Sequence, residues 1–246
     1  MIQRIANNVQ HVAIKYIAVA LAFTLLWLCL HLWKNGRKRM QPVPKGRQIG
    51  TEMLMSVVSL LIFGSVLPIM FALGFGKHTH FYWNPAERGW AYFVLSIFLM
   101  MVIQDTYFYW THRFMHRRSL FRWFHRTHHR STNTNPWTTY SVSPLEAVVD
   151  SGASIVILLV LPVTGLALFI FTWMNAAYAV YTHLGYELYP RWLAQHWLGR
   201  WINTSVAHNT HHAKARYNYG WYFLFWDRMM GTLDPNYAAR YRAAVE

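Results

Sequence analysis

The chain has 246 residues, of which 54% are apolar and only 13% charged, with a formal net charge of +14. That balance excludes an ordinary soluble globule and points to a membrane protein. A single cysteine, Cys29, lies in an apolar run, which rules out an internal disulfide framework or a cysteine zinc site and leaves any metal to histidine or carboxylate.

Stretches with at most one Asp, Glu, Lys or Arg mark the expected spans, because a helix needs roughly 20 apolar residues to cross the hydrocarbon core. The first runs from about Val12 to Trp33 and is followed by the basic KNGRKR, without a small-residue cleavage site, so it is expected to stay attached as an anchor. The second, Met53 to Gly76, includes Pro68, a candidate kink, and the third runs from Gly89 to Thr111.

The fourth region is uncharged from Ser151 to Tyr186, and its 36 residues as one helix would measure about 54 Å, well beyond a core of roughly 30 Å. Two short helices folded back at LPVTG fit better, starting near Pro144 and ending near His183. The expected fold is therefore all-α: a multi-pass membrane bundle of about four transmembrane helices in two hairpins, with a histidine-rich helical cap on the cytosolic side. Residues 1–88 form an N-terminal hairpin with a basic loop, and residues 89–246 form the catalytic region as one integrated domain.

The basic residues test this topology. The Lys34 to Arg47 loop holds six, the stretch His112 to Arg130 holds six and the segment after His183 holds seven, so 19 of 23 share one face. The positive-inside rule makes that face cytosolic, whether in a bacterial inner membrane or the endoplasmic reticulum. The net charge is read as topogenic bias and attraction to anionic lipid. Nucleic acid is not expected as a partner, because no binding motif accompanies the charge.

The same face carries the chemistry. Histidines cluster in HRFMH (His112, His116), HRTHH (His125, His128, His129) and HNTHH (His208, His211, His212). Residues three or four apart share a helix face, so each cluster is expected to aim its imidazoles at one point. Eight such ligands exceed what a single tetrahedral zinc could use, and two metal ions are the natural count. His183, at the same depth, is a candidate ninth ligand, with Glu187 four residues on as a ligand or an orienting group. Asp105 is an acid in an otherwise uncharged span, where ionisable groups are costly and usually functional. His112 and His116 both fall within about 20° of it around the helix, so it is placed to fix a ring tautomer, directly or through a neighbour. Tyr109 shares that stripe. Imidazole suits Zn, Cu, Fe and Ni, so ligand type alone leaves the metal open.

Taken with their order and spacing, DTYFYWTHRFMH from Asp105, HRTHH from His125, SPLE from Ser143, THLGYE from Thr182, HNTHH from His208 and NYGWYFLFWDRMMGT from Asn218 carry a wider signal. Over roughly Gly89 to Thr232 the sequence resembles the fatty acid hydroxylase and sterol desaturase superfamily of integral-membrane di-iron enzymes. The resemblance implies that the matching histidines hold two irons at the cytosolic end of a four-span bundle. With O2 as cosubstrate and two electrons from a separate donor, a cytochrome b5-like or ferredoxin-like partner, such enzymes oxidise an unactivated C–H bond of a lipid to an alcohol or an alkene. Glu146 is then expected to stand behind the ligands. Ser143 stands where many relatives have His, and Glu187 where some carry an extra His. Asp227 is expected to fix a turn; His196 is unassigned; His11, His31, His78 and His80 are expected to lie outside the chemistry.

Two other readings compete. A zinc membrane lipid hydrolase or amidase would use one metal-bound water, for which eight histidines are too many. A metal-storage or transport protein would spread its histidines across the membrane instead of gathering them on one side.

Overall fold

In a computed structural model, residues 1–33, 39–194 and 196–246 are described; Lys34, Arg37 and Lys38 of the basic loop lie outside them. The chain is built from helices α1 (Ile2–Trp33), α2 (Gly46–Ala72), α3 (Trp90–Met115), α4 (Arg118–Phe124), α5 (Arg126–His129), α6 (Pro144–Val160), α7 (Gly165–Thr182), α8 (Ser205–Lys214), α9 (Phe225–Met229) and α10 (Tyr237–Val245). Among the described residues four of these, α1, α2, α3 and α7, are long and apolar enough to cross a membrane. The protein is an all-α membrane helical bundle. The fifth apolar helix, α6, has 17 residues and is followed by α7 as the returning arm expected from the uncharged region.

Local chemistry sets the ends of that hairpin. Ser143 caps α6, its hydroxyl accepting the Glu146 N–H at 3.1 Å, and Pro144 occupies the first turn, where its missing N–H costs nothing. Pro162 follows the end of α6, and Thr164 caps α7 by accepting the Ala167 N–H at 3.1 Å. Between the two helices, Val163–Thr164 pairs in parallel with Phe81–Tyr82, tying the α2–α3 connection to the hairpin turn.

α1 packs along α2, α2 against α6, α3 against α6 and α7, and α1 against α7. Two apolar layers result. One joins Phe93, Met100, Ile157, Leu158 and Phe171; the other joins Tyr16, Val19, Ala20, Leu60, Ala176 and Val180. The outer faces of the spans carry exposed Leu25, Leu61, Val94, Phe98 and Phe169, a cost in water but not in lipid.

The first two spans begin earlier than their low-charge stretches suggested. α1 starts ten residues before Val12, because Asn8 packs on α2 and donates to the Gly64 carbonyl at 2.8 Å. The approach is close: a Cβ on Gly64 would lie 2.5 Å from the Val9 Cα. α2 starts at Gly46 and takes in Glu52, which is buried and accepts from Gln48 (2.8 Å), Asn135 (2.6 Å) and Thr138 (3.2 Å). An acid thereby staples α2 to the loop that precedes α6.

The cap is formed by α4, α5, α8 and the segments beyond. Its own core joins Val206, Ala207, Leu224, Tyr237, Tyr241 and Ala244. Asp234 anchors this part through Lys214 at 3.1 Å and Arg240 at 2.8 Å.

Candidate metal centre

The nine candidate histidines converge in two adjacent groups: His112, His116, His125, His129 and His211 in one, and His128, His183, His208 and His212 in the other. Within each group the ligand atoms lie within 4.8 Å of one another. The groups abut, with the His129 and His212 ring centroids 5.1 Å apart.

This arrangement corrects one expectation. Neither HRTHH nor HNTHH aims at a single point; each divides between the groups. His125 and His129 serve the first group and His128 the second, while His208 and His212 serve the second and His211 the first. Helical geometry supplies the reason, since positions i and i+4 differ by about 40° around the axis but i+3 and i+4 by about 100°.

The ring orientations are fixed from behind. His112 Nδ1 lies 3.0 Å from the Tyr219 carbonyl, His211 Nδ1 2.7 Å from that of Tyr217, and His183 Nδ1 2.7 Å from that of Ala179. His125 Nδ1 meets the Glu146 carboxylate at 2.5 Å, and His128 Nδ1 reaches the Ser141 carbonyl at 3.4 Å. An acceptor at Nδ1 places the ring proton there and leaves Nε2 as a bare lone pair. The Nε2 atoms of these five rings and of the other four face one another: His112 to His125 at 2.8 Å, His129 to His211 at 3.0 Å and His116 to His211 at 3.1 Å. In the second group His183 faces His208 at 2.9 Å, His212 at 3.2 Å and His128 at 3.3 Å. Converging lone pairs without protons between them repel, and a cation at the centre of each group removes that repulsion. The donor set therefore fits a pair of metal ions.

Electrostatics keeps the set neutral and ligand-ready. Burial, followed by the field of neighbouring imidazoles, holds His116 down to about 3 and His183 to about 3. Burial alone lowers His128 to about 4, a backbone hydrogen bond opposing it. His125, His208, His211 and His212 are held well below the usual histidine range for the same reasons, burial first.

The three expected acids take different stations. Glu146 orients His125. Asp105 touches no ring; its Oδ1 accepts the N–H groups of Trp221 (3.0 Å), Tyr222 (2.7 Å) and Phe223 (3.0 Å), and so reaches His112 through the loop whose Tyr219 carbonyl holds that ring. Glu187 lies in neither group. It accepts from the Tyr181 hydroxyl (2.5 Å), the Tyr189 N–H (2.9 Å) and the Val206 N–H (3.2 Å), which fixes the start of α8 and hence His208, His211 and His212. Asp227 fixes the same loop as Asp105, accepting from Tyr219 N–H (2.9 Å), Gly220 N–H (2.8 Å) and the Thr232 hydroxyl (2.7 Å). Tyr109 is buried, with its hydroxyl 3.0 Å from that of Thr232. His196 is exposed and belongs to neither group, its Nδ1 accepting the Leu198 N–H at 3.3 Å.

A cavity of about 460 Å³ runs through the bundle, a size suited to a small-molecule ligand. It adjoins the histidines: among its walls are Thr139, whose hydroxyl is 3.5 Å from His183 Nδ1, Phe108, whose ring centroid is 4.7 Å from that of His112, and Trp221. Asp150 also lines it, as does His11, which the sequence had set aside. Asp150 and the Tyr217 and Tyr219 carbonyls did not stand out in the sequence.

Several known proteins are similar to this chain. A Delta(7)-sterol 5(6)-desaturase of Gibberella zeae is 30% identical over 201 residues, covering 78% of this chain and 60% of that protein. A lathosterol oxidase of Rattus norvegicus is 26% identical over 192 residues, covering 75% of this chain and 61% of that protein. A second Delta(7)-sterol 5(6)-desaturase, from Aspergillus fumigatus, is 28% identical over 178 residues, 63% of this chain and 55% of that protein. The chain thus spans 55% to 61% of the length of these relatives. No solved structure matches it significantly. The family model for fatty acid hydroxylase matches residues 97–232, more than half the chain and all nine converging histidines, and the chain belongs to that family.

Proposed function

We propose that this protein is a membrane-bound di-iron oxidoreductase that uses O2 to oxidise an unactivated C–H bond of a lipid, by desaturation or hydroxylation. The observation that carries the reading is the pair of back-to-back histidine groups whose Nε2 lone pairs converge beside a cavity inside an apolar bundle. His112, His116, His125, His129 and His211 would hold one iron; His128, His183, His208 and His212 would hold the other. Bound there, the irons would supply the redox chemistry that activates O2 and removes hydrogen from the lipid.

The chain's own groups do the positioning. Glu146 and the carbonyls of Tyr219, Tyr217 and Ala179 keep the ring protons at Nδ1, so that every held ring offers Nε2. Asp105, Asp227 and Glu187 hold the loop and helix that bring these partners together. Phe108, Val142, Phe171 and Trp221 wall the cavity and exclude water. In desaturation, two hydrogens leave the lipid and, with O2, two electrons and two protons, become two waters. The relatives' names favour a sterol-like lipid. Residues 89–246 would form the catalytic region, with the hairpin of residues 1–88 completing its wall through Asn8, Val12 and Phe63.

Electrons would arrive from a separate acidic donor at the cytosolic face, where Arg117, Arg118, Arg122, Arg126 and Arg130 are exposed. Neutralising these arginines should slow reduction most at low salt; a salt-independent rate would count against this docking face.

The test is reductant-dependent O2 uptake by the purified protein with sterol and fatty acyl lipids, followed by mass spectrometry of the lipid. Loss of two hydrogens or gain of one oxygen, absent in His128→Ala, is expected. One zinc per chain and hydrolytic release of a lipid fragment would replace this reading with the hydrolase.

A further inference from the structure

Asp150 follows Glu146 by four residues, about 6 Å along the axis of α6. It lines the cavity, and its Oδ1 is shut off from solvent with no hydrogen-bond partner among the described residues. Several other polar groups of the wall are already engaged by the protein. Asn175 Oδ1 accepts from Trp221 Nε1 at 2.8 Å and from the Tyr222 hydroxyl at 2.6 Å. The Ser151 hydroxyl donates to the Ala147 carbonyl at 2.8 Å and that of Thr139 to the Ala179 carbonyl at 3.4 Å.

A carboxyl group within an apolar bundle is costly unless it meets a hydrogen-bonding partner. Among its neighbours in the wall are Phe108, Tyr140, Val142, Phe171 and Trp221, whose flat aromatic and aliphatic surfaces suit a rigid hydrocarbon. The missing partner is thus a polar group carried into the cavity by an otherwise apolar molecule.

We infer that Asp150 binds the hydroxyl group of the lipid substrate. The inference rests on the lipid-oxidase reading above. The remainder of the molecule then extends along the cavity towards Phe169 and Trp173.

The test measures equilibrium binding of a Δ7-sterol alcohol and its 3-deoxy counterpart to the full-length, iron-loaded protein in nanodiscs. Wild type should bind the alcohol at least about tenfold more tightly, the effect of one buried hydrogen bond to an acid. Asp150→Leu should bind the two sterols within about twofold of each other while keeping its iron and helical signal, and Lys15→Met, on a different helix lining the cavity, should keep the discrimination. Equal binding by wild type, or discrimination that survives Asp150→Leu, overturns the assignment, and the wild-type comparison decides even if the variant fails to fold. With reductant-dependent O2 uptake intact, either result would defeat the Asp150 role alone. Failure of an iron-loaded protein to bind either sterol or to consume O2 with any lipid would defeat the lipid-oxidase reading as well.

Discussion

His125 is held from both ends: Glu146 meets its Nδ1 at 2.5 Å, while its Nε2 lies 2.8 Å from that of His112. The carboxylate is buried at the first turn of α6, and the ring sits at the junction of α4 and α5. One contact thus couples the start of a helix in the bundle to the tautomer of a ligand in the cap.

Glu146→Ala should therefore weaken one metal site more than the other. Loss of an orienting carboxylate behind a ligating histidine costs roughly 10–100-fold in metal affinity. Iron content should fall from about two per chain towards one under dilute iron, with Glu146→Gln recovering part of it. Full iron occupancy in Glu146→Ala, measured by elemental analysis, would remove Glu146 from this role.

Asp105→Ala should act at a distance. It leaves three N–H groups of the Trp221–Phe223 segment, two of them buried and one half-buried, without their acceptor, each buried one worth about 1–3 kcal/mol. A loss of at least about 3 kcal/mol is expected, together with a lower iron content, because the Tyr219 carbonyl that holds His112 belongs to the same loop. Thermal unfolding in detergent, followed with an iron assay, checks both. Unchanged stability would show that the loop is held without Asp105.

The histidines give the metal-free protein a pH dependence of definite sign. His128 and His183 titrate near about 4 and about 3 in the fold, against about 6.5 in an unfolded chain. Between those values the unfolded chain carries more protons, so stability falls as pH is lowered through about 6.5, by up to about 1.4 kcal/mol per pH unit for each histidine, and is flat above about 7.5. Unfolding midpoints of chelator-treated protein across pH 5 to 8 should decline on the acid side; a midpoint that rises on acidification would contradict the neutral, buried cluster.

Much of this was legible in the sequence because its periodicities are chemical. Apolar runs and the LPVTG break define the bundle, and the histidines of HRTHH and HNTHH stand out by their density. What escaped depends on three-dimensional context. The division of each histidine box between two sites requires knowing where both helices lie. The Tyr217 and Tyr219 carbonyls have no side-chain signature. Glu52 and Asp150 border charge-free stretches and read as boundaries, although α2 and α6 carry both into the bundle. Asp105 reads as an acid that fixes a ring tautomer directly or through a neighbour, and its three backbone N–H contacts make the loop that neighbour.

The most direct measurement is anomalous scattering at the iron edge from crystals of the purified protein. Two iron peaks are expected, one enclosed by His112, His116, His125, His129 and His211 and the other by His128, His183, His208 and His212. A single peak, or density that appears only at the zinc edge, would contradict the two-iron centre.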